Sequence, residues 1–256
     1  MSSLALVTGA SSGIGAAFAE RLAGDGYDLI VVARRRERLE ALAASLPTEV
    51  RVVTADLSTD EGIDTVAELC ASRPLTMLVN NAGVAHYMPM DQLPAAKARE
   101  LVNVKVTAPT MLTRAALPGM ITRGAGTVVN VAGMLAFSGP SAQKAGRAVY
   151  AGTLAHSVAM SQTLHAELAG TGVNVHVVCP GVVATEFHEV QGLDLSAVPR
   201  MPAEDVVTAA LTGIELGETV SAPSVEDYGL LEAVFAADLD AFGAQSPRLA
   251  SRYRAG

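Results

Sequence analysis

The chain has 256 residues, half of them hydrophobic, and carries a formal net charge of −8 at pH 7. This length suits one large α/β domain with a sizeable core, so we expect a single domain over residues 1–256. The acidic balance argues against nucleic acid or an anionic membrane surface as a partner.

Cysteine usage and hydropathy indicate where the protein resides. Cys70 and Cys179 fit neither a disulfide framework nor a zinc motif, and no apolar run is long enough to span a membrane. The first predicted strand begins so near the N-terminus that it leaves no room for a signal peptide. We therefore expect a cytoplasmic protein that has no membrane attachment.

Apolar runs alternate with amphipathic helical stretches along the chain. Strands rich in Val, Leu and Ile that alternate with helices are typical of a parallel sheet with both faces covered. The predicted fold is therefore a doubly wound, Rossmann-like α/β sheet that binds its ligand at the carboxyl ends of the strands. In chain order we predict strand 4–8, helix 13–24, strand 27–33, helix 35–46, strand 50–55, helix 60–71, strand 75–79, two helices within 94–123 with the second from about 103, strand 127–131, helix 149–169, strand 173–179, helix 203–217 and strand 219–222.

A glycine-rich turn joins the first strand to the first helix in the segment LALVTGASSGIG. Glycines let a backbone turn sharply and approach a ligand, and a helix N-terminus presents free N–H groups to a phosphate. This strand–turn–helix context indicates a dinucleotide site, with a tight turn that binds nothing as the alternative. The residues expected to contact the cofactor here are Gly9, Ser11, Ser12, Gly13, Ile14 and Gly15.

The end of the second strand bears on the choice of cofactor. An acidic residue at this place would bind the ribose hydroxyls of NAD, but this chain reads Ala33-Arg34-Arg35-Arg36. The Arg34 guanidinium can pair with a 2′-phosphate, which favours NADP(H) over NAD(H); the alternative is a solvated helix start. Further cofactor contacts are expected from Arg35 and from the ends of the third and fourth strands, at Asp56, Leu57, Asn81, Ala82 and Gly83.

With these motifs the chain resembles the short-chain dehydrogenase/reductase family in its single-domain form. The resemblance also rests on Asn103-Val104, on Tyr150 and on the run CPGVVATEF at 179–187. It implies a seven-stranded parallel sheet, and a nicotinamide cofactor that exchanges hydride with a carbonyl or alcohol carbon. It further implies homodimers or homotetramers built through the helices at 103–123 and 149–169, and a substrate loop over about 184–202. Cofactor contacts implied by the Pro-Gly segment are Pro180, Gly181, Val183 and Thr185.

The family's catalytic set is Asn, Ser, Tyr and Lys, and this chain matches it in part. Asn103 matches the asparagine that holds a water, and Tyr150 matches the tyrosine that exchanges a proton with the substrate. Gly133 stands at the serine position, and Leu154 stands where the lysine follows the tyrosine by four residues. Leucine can neither bind the ribose nor lower the pKa of the tyrosine, so ordinary hydride catalysis needs a replacement.

Candidates for that replacement are the Ser138 and Ser141 hydroxyls and above all Lys144, and His86 is a separate candidate for a catalytic role. Lys144 lies in the segment 138–147, which contains extra residues compared with the family and can bring an ammonium group to Tyr150. His86 follows the Asn-Asn-Ala-Gly motif and can contact substrate or donate a proton. Alternatively, Lys144 is a solvated loop lysine and His86 has no role. No two histidines have metal-ligand spacing, so we expect no metal.

Three functions are consistent with this sequence. The favoured one is an NADP(H)-dependent oxidoreductase with an atypical active site, which acts on the carbonyl or alcohol group of a small apolar molecule. The second is a dehydratase, cyclase or isomerase on the same fold, with Tyr150 and His86 as acid and base. The third is a catalytically impaired cofactor-binding protein.

Overall fold

A computed structural model gives the architecture of residues 3–139, 141, 146–192, 194–195 and 197–254. Within this part of the chain, seven strands form one sheet in the order β3-β2-β1-β4-β5-β6-β7, and every neighbouring pair is parallel. The predicted doubly wound α/β fold is thereby confirmed. The strands are β1 Leu4–Thr8, β2 Asp28–Ala33, β3 Val50–Thr54, β4 Met77–Asn80, β5 Gly126–Val131, β6 Val173–Val178 and β7 Val220–Ser221.

Helices connect the strands, and their bounds lie within one or two residues of most of the predicted ones. The predicted pair of helices within 94–123 is α4 and α5, joined by the π-helical turn Asn103–Thr107 without leaving helical backbone angles. None of the described helices is long and apolar enough to cross a membrane. The helices are α1 Gly13–Gly24, α2 Arg36–Ser45, α3 Asp60–Ser72, α4 Ala95–Val102, α5 Ala108–Arg123, α6 Ala148–Glu167, α7 Phe187–Val190, α8 Ala203–Glu215 and α9 Gly229–Gly243.

The chain divides into two compact units, one that ends at Ser224 and one that begins at Val225. The first unit contains the whole sheet and helices α1 to α8. The second contains α9 and the short 3-10 turn Ser251–Tyr253, neither of which was predicted from the sequence. In α9 the apolar side chains are spread around the helix rather than gathered on one stripe, so hydrophobic periodicity gives little signal.

Both faces of the sheet are packed with apolar side chains. Alternate residues of a strand point to opposite faces, so Ala5 and Val7 of β1 pack against α1 and α8, whereas Leu6 packs against α3 and α5. Helices on both faces explain why the strands read as continuous apolar runs.

The ends of β1 and β4 are joined by hydrogen bonds at the point where the strand order reverses. Thr8 Oγ1 accepts hydrogen bonds from the backbone N–H groups of Asn81 and Ala82, at 3.0 and 3.1 Å. The Asn81 side-chain amide donates to the Thr8 carbonyl oxygen at 3.0 Å. In open α/β sheets this reversal opens a crevice at the carboxyl ends of the strands.

Helix α1 carries the glycine-rich turn, so its packing decides where that turn lies. Phe18, with 0% exposed surface, anchors α1 in the core, whereas Glu20 on the same helix is exposed. We expect Phe18→Ala to lower the free energy of unfolding by about 3–5 kcal/mol because it removes a buried ring and leaves a cavity. Chemical denaturation measures this, with Glu20→Ala as the control that changes stability little. Equal effects of the two substitutions would contradict this account of the core.

Candidate active site

A crevice of about 1170 Å³ lies along the carboxyl ends of the strands in the first unit. Ligand pockets for one drug-sized molecule span roughly 300–1,000 Å³, so this crevice has room for a dinucleotide and a substrate. Every residue predicted to contact the cofactor, except Gly15, lines it: Gly9, Ser11, Ser12, Gly13, Ile14, Arg34, Arg35, Asp56, Leu57, Asn81, Ala82, Gly83, Pro180, Gly181, Val183 and Thr185.

The glycine-rich turn requires glycine for two different reasons. Gly13 has φ +56°, and a Cβ built there would lie 2.9 Å from Cγ2 of Thr185, on the loop after β6. Gly15 lies behind the crevice, where a Cβ would be 2.4 Å from both the Gly9 carbonyl oxygen and Nδ2 of Asn81. Because Gly13 and Gly15 have no Cβ, the turn at the N-terminus of α1 packs directly against the segment after β4 and the loop after β6.

Arg35 lies directly on the glycine-rich turn. Its Nη2 donates hydrogen bonds to Oγ of Ser12 and Ser11, at 2.7 and 2.9 Å. Its Nη1 pairs with Oε1 of Glu186, whose Oε2 accepts a hydrogen bond from Arg38 at 2.7 Å. Partial burial alone would raise the pKa of Glu186, but the hydrogen bonds from Arg38, Arg35 and Ser12 outweigh it and lower the pKa to about 2. A carboxylate thus joins two guanidinium groups at a place suited to an anion.

Arg34 and His86 meet on another part of the crevice wall, around the carboxylate of Glu100. Nε2 of His86 lies 2.8 Å from Oε2 of Glu100, and Nη1 of Arg34 lies 3.8 Å from Oε1. Nζ of Lys97 lies 3.7 Å from Oε2 of Glu100, so Lys97 is a second cation beside this carboxylate, after Arg34. The structure therefore places the His86 ring against a carboxylate of α4.

Tyr150 is buried at the other end of the crevice, beside a second tyrosine that the sequence analysis missed. The rings of Tyr150 and Tyr87 meet edge-on, 5.4 Å between centroids, and the two side chains are hydrogen-bonded. The Arg147 guanidinium lies over the Tyr87 ring, 4.8 Å from its centroid. Burial and Tyr87 raise the pKa of Tyr150, against an opposing effect of Arg147. The neutral phenol is therefore the stable form of Tyr150 at neutral pH.

Gly133 and Leu154, predicted to stand at the family's serine and lysine positions, lie next to each other. A Cβ at Gly133 would lie 3.4 Å from Cδ1 of Leu154 and 3.5 Å from the Pro180 carbonyl oxygen, which are ordinary contacts. The backbone at Gly133 is extended, with φ 165°, so a residue with a side chain can adopt it. Leu154 is fully buried, and it lines the crevice together with Gly133.

Asn103 lies in the π-helical turn, and its side chain binds the loop between β3 and α3. Its Nδ2 donates to the Ser58 carbonyl oxygen at 2.8 Å, while Oδ1 of Asp56 accepts from the Ser58 N–H at 3.0 Å. Asn103 is not among the described residues that line the crevice. The other candidate, Lys144, lies outside the described residues.

Lys105 is a second residue that the sequence analysis missed. It is buried in the same π-helical turn, lines the crevice, and donates from Nζ to the Val131 carbonyl oxygen at 3.1 Å. In the sequence, Lys105 could have been recognised as a lysine between Val104 and Val106, in a stretch whose other residues are suited to burial. For Tyr87 the signal was its place directly after His86.

Within the described chain, no group of three or more His, Cys, Asp or Glu residues could hold a metal ion.

A family model for short chain dehydrogenases matches residues 3–195. The chain belongs to this family. Its fold matches that of a short-chain dehydrogenase from Sphingobium yanoikuyae in complex with NADPH, with a TM-score of 0.93, 33% identity and coverage of 98% of this chain and 100% of that one. A bulky-bulky ketone specific alcohol dehydrogenase from Comamonas testosteroni gives a TM-score of 0.87, 29% identity and 98% coverage of both chains.

A sequence relative of known reaction is similar over a shorter stretch. Sulfoacetaldehyde reductase 2 of Chromohalobacter salexigens is 36% identical over 192 residues, which is 73% of this chain and 75% of that one. The family match and these relatives show that the protein is an oxidoreductase of the short-chain dehydrogenase type.

The contact between positions 133 and 154 leads to a test of the site's construction. We expect Gly133→Ser to change the free energy of unfolding by no more than about 1 kcal/mol, because the added Cβ meets only ordinary contacts. Gly15→Ser, by contrast, should lower it by about 3 kcal/mol or more, since its Cβ would overlap backbone. Thermal and chemical denaturation of the two variants checks this, and the reverse order would refute the geometry.

Proposed function

We propose that the protein is an NADPH-dependent reductase that converts the carbonyl group of an apolar ketone or aldehyde into an alcohol. The observation that carries the proposal is a neutral, buried Tyr150 at one end of a crevice whose other end is built for phosphate groups. The fold and family support hydride transfer, and the arrangement of this chain's own residues supports the cofactor and the direction.

The glycine-rich turn and Arg35 fit a phosphorylated nucleotide. The turn brings the N-terminus of α1 to the crevice without side chains in the way, which suits a pyrophosphate. Arg35, fixed by Ser11 and Ser12, offers a guanidinium that suits the additional 2′-phosphate of NADPH. The NADPH complex of the Sphingobium yanoikuyae relative supports this choice.

The protonation state of Tyr150 favours reduction. When bound, the nicotinamide nucleotide would supply the hydride that is added to the carbonyl carbon. Reduction also requires a proton for the carbonyl oxygen, and a buried phenol with a raised pKa is an acid that holds its proton until the oxygen becomes strongly basic. Oxidation would require the phenolate of Tyr150 as a base, which burial disfavours.

Tyr87 and Arg147 can support this proton transfer. The hydrogen bond between Tyr150 and Tyr87 raises the pKa of Tyr150, so Tyr87 helps to hold the proton on Tyr150 until the substrate oxygen takes it. Arg147, the cation that acts to lower the pKa of Tyr150, stabilises the negative charge that the phenolate then carries. Arg147 thus contributes some of the stabilisation that the family obtains from its lysine.

The substrate end of the crevice is mainly apolar. Besides the aromatic side chains already described, it is lined by Met134, Leu135, Val182, Val190, Leu195 and Val198. Such a lining favours a carbonyl compound with apolar substituents. The bulky-bulky ketone specificity of the Comamonas testosteroni relative supports a bulky ketone. Residues of the predicted substrate loop at 184–202 contribute part of this wall.

The proton donor is tested by Tyr150→Phe. We expect this variant to lose about 10²–10⁴-fold in turnover of an apolar ketone while NADPH affinity stays unchanged, because the substitution removes the proton and little else. Loss of NADPH absorbance measures turnover, and calorimetry measures binding. Tyr87→Phe is the matched control and should retain a larger fraction of the activity. Full turnover in Tyr150→Phe would exclude Tyr150 as the acid.

The ion pair between Glu186 and Arg35 generates a second test. Because the Glu186 carboxylate competes with a phosphate for Arg35, we expect Glu186→Gln to increase affinity for 2′,5′-ADP by about three- to fivefold, as for one partly exposed ion pair. The pKa of Glu186, about 2, keeps the carboxylate ionised from pH 6 to 8, so the gain should be constant over that range. Glu189→Gln, a change at an exposed residue of the neighbouring helix α7, is the control. Equal affinities in all three proteins would remove Arg35 as the phosphate ligand.

A further inference from the structure

Lys105 is a buried cation whose charge has no opposite partner in the described chain. Lys105 is 7% exposed. Its one hydrogen bond among the described residues goes from Nζ to a neutral acceptor, the Val131 carbonyl oxygen, at 3.1 Å. No carboxylate forms a salt bridge with it within the part of the chain that the structure describes. An ammonium has three N–H groups, so it retains donors for a ligand.

Burying this charge opposes folding of the free protein. A buried charge without a partner is costly, and burial lowers the pKa of Lys105 to about 8. Cys179, after β6, is the titratable group that acts on Lys105, and burial raises the pKa of its thiol to about 12. The thiol therefore remains neutral at pH 7 and leaves the ammonium uncompensated. A ligand that binds the Lys105 ammonium would explain why the protein buries this charge.

The position of Lys105 indicates which part of a ligand it meets. A Cβ on Gly83 would lie 3.4 Å from Nζ, so the ammonium sits between the end of β4 and the end of β5. The glycine-rich turn follows β1 on one side of this place, and Gly133 and Leu154 lead to Tyr150 on the other. A dinucleotide with its pyrophosphate at the turn and its nicotinamide near Tyr150 has one polar group between them, the ribose of the nicotinamide half.

We propose that the ammonium of Lys105 binds the ribose hydroxyls of the nicotinamide half of the nucleotide. This inference rests on the proposed function, because it requires that the crevice bind a nicotinamide dinucleotide. Lys105 then brings positive charge to the crevice from the π-helical turn, whereas the α6 position four residues after Tyr150 holds Leu154. At Lys105 the helical backbone is locally widened into the π-helical turn Asn103–Thr107.

Lys105→Met tests the proposal, because methionine keeps the length of the side chain and removes its charge. Calorimetry compares NADPH with 2′,5′-ADP, which lacks the nicotinamide ribose. We expect the variant to bind NADPH about ten- to a hundredfold more weakly, the range for a lost charged hydrogen bond, and to bind 2′,5′-ADP as the unmodified protein does. Arg114→Met removes an exposed charge from α5 and should change neither affinity.

Two further readouts distinguish binding from a structural role. Lys105→Met should unfold at the same temperature as the unmodified protein or a higher one, because it removes a buried unpaired charge. Between pH 7 and 9 the NADPH affinity of the unmodified protein should fall as the ammonium loses its proton, whereas that of Lys105→Met should stay flat.

Each contrary outcome has a definite meaning. Unchanged NADPH affinity in a folded Lys105→Met overturns the inference and leaves the proposed function standing. Equal weakening of NADPH and 2′,5′-ADP overturns the assignment to the nicotinamide half. If the unmodified protein binds neither ligand, both the proposed function and the role of Lys105 are overturned.

Discussion

The candidate active site depends on the hydrogen bonds that join the end of β1 to the end of β4. Thr8 and Asn81 connect these two strands at the reversal of strand order, where the crevice opens. The same Asn81 amide lies so close to Gly15 that only a glycine fits there. The glycine-rich turn, the Asn81-Ala82-Gly83 segment and the start of α1 are therefore one packed unit, held together by contacts within the chain.

Charge is distributed unevenly along this crevice. Two arginines of the crevice wall have acidic partners, Arg35 with Glu186 and Arg34 with Glu100, and both ion pairs are partly exposed and therefore weak. Farther along, Lys105 has no such partner among the described residues. A ligand that carries phosphates and a sugar would compete with the carboxylates for the arginines, and its sugar would give the Lys105 ammonium a hydrogen-bond partner. Both interactions can contribute to the binding free energy.

Gly133 and Leu154 lie next to each other in the crevice, and Leu154 is one helical turn from Tyr150. Leu154 is a buried apolar side chain, and Tyr150 is buried beside Tyr87. Dry surroundings make the phenol a poor base and suit it to donate a proton. Arg147, above the Tyr87 ring, is the cation that acts on this tyrosine pair. These features support the proposed reaction, in which the phenol donates its proton to a carbonyl oxygen.

The sequence by itself determined the parallel sheet and the place of the glycine-rich turn, because hydrophobic periodicity and glycine spacing are local signals. That Gly133 and Leu154 stand at the family's serine and lysine positions stays a prediction from the sequence. Only the tertiary structure decided which partner each basic side chain binds: Arg35 binds Ser11 and Ser12, His86 binds Glu100, and Lys105 binds the Val131 carbonyl oxygen. Such pairings join residues 23 or more positions apart, or a loop to a helix, and no local pattern encodes them. Helix α9 was missed because its apolar residues form no single stripe.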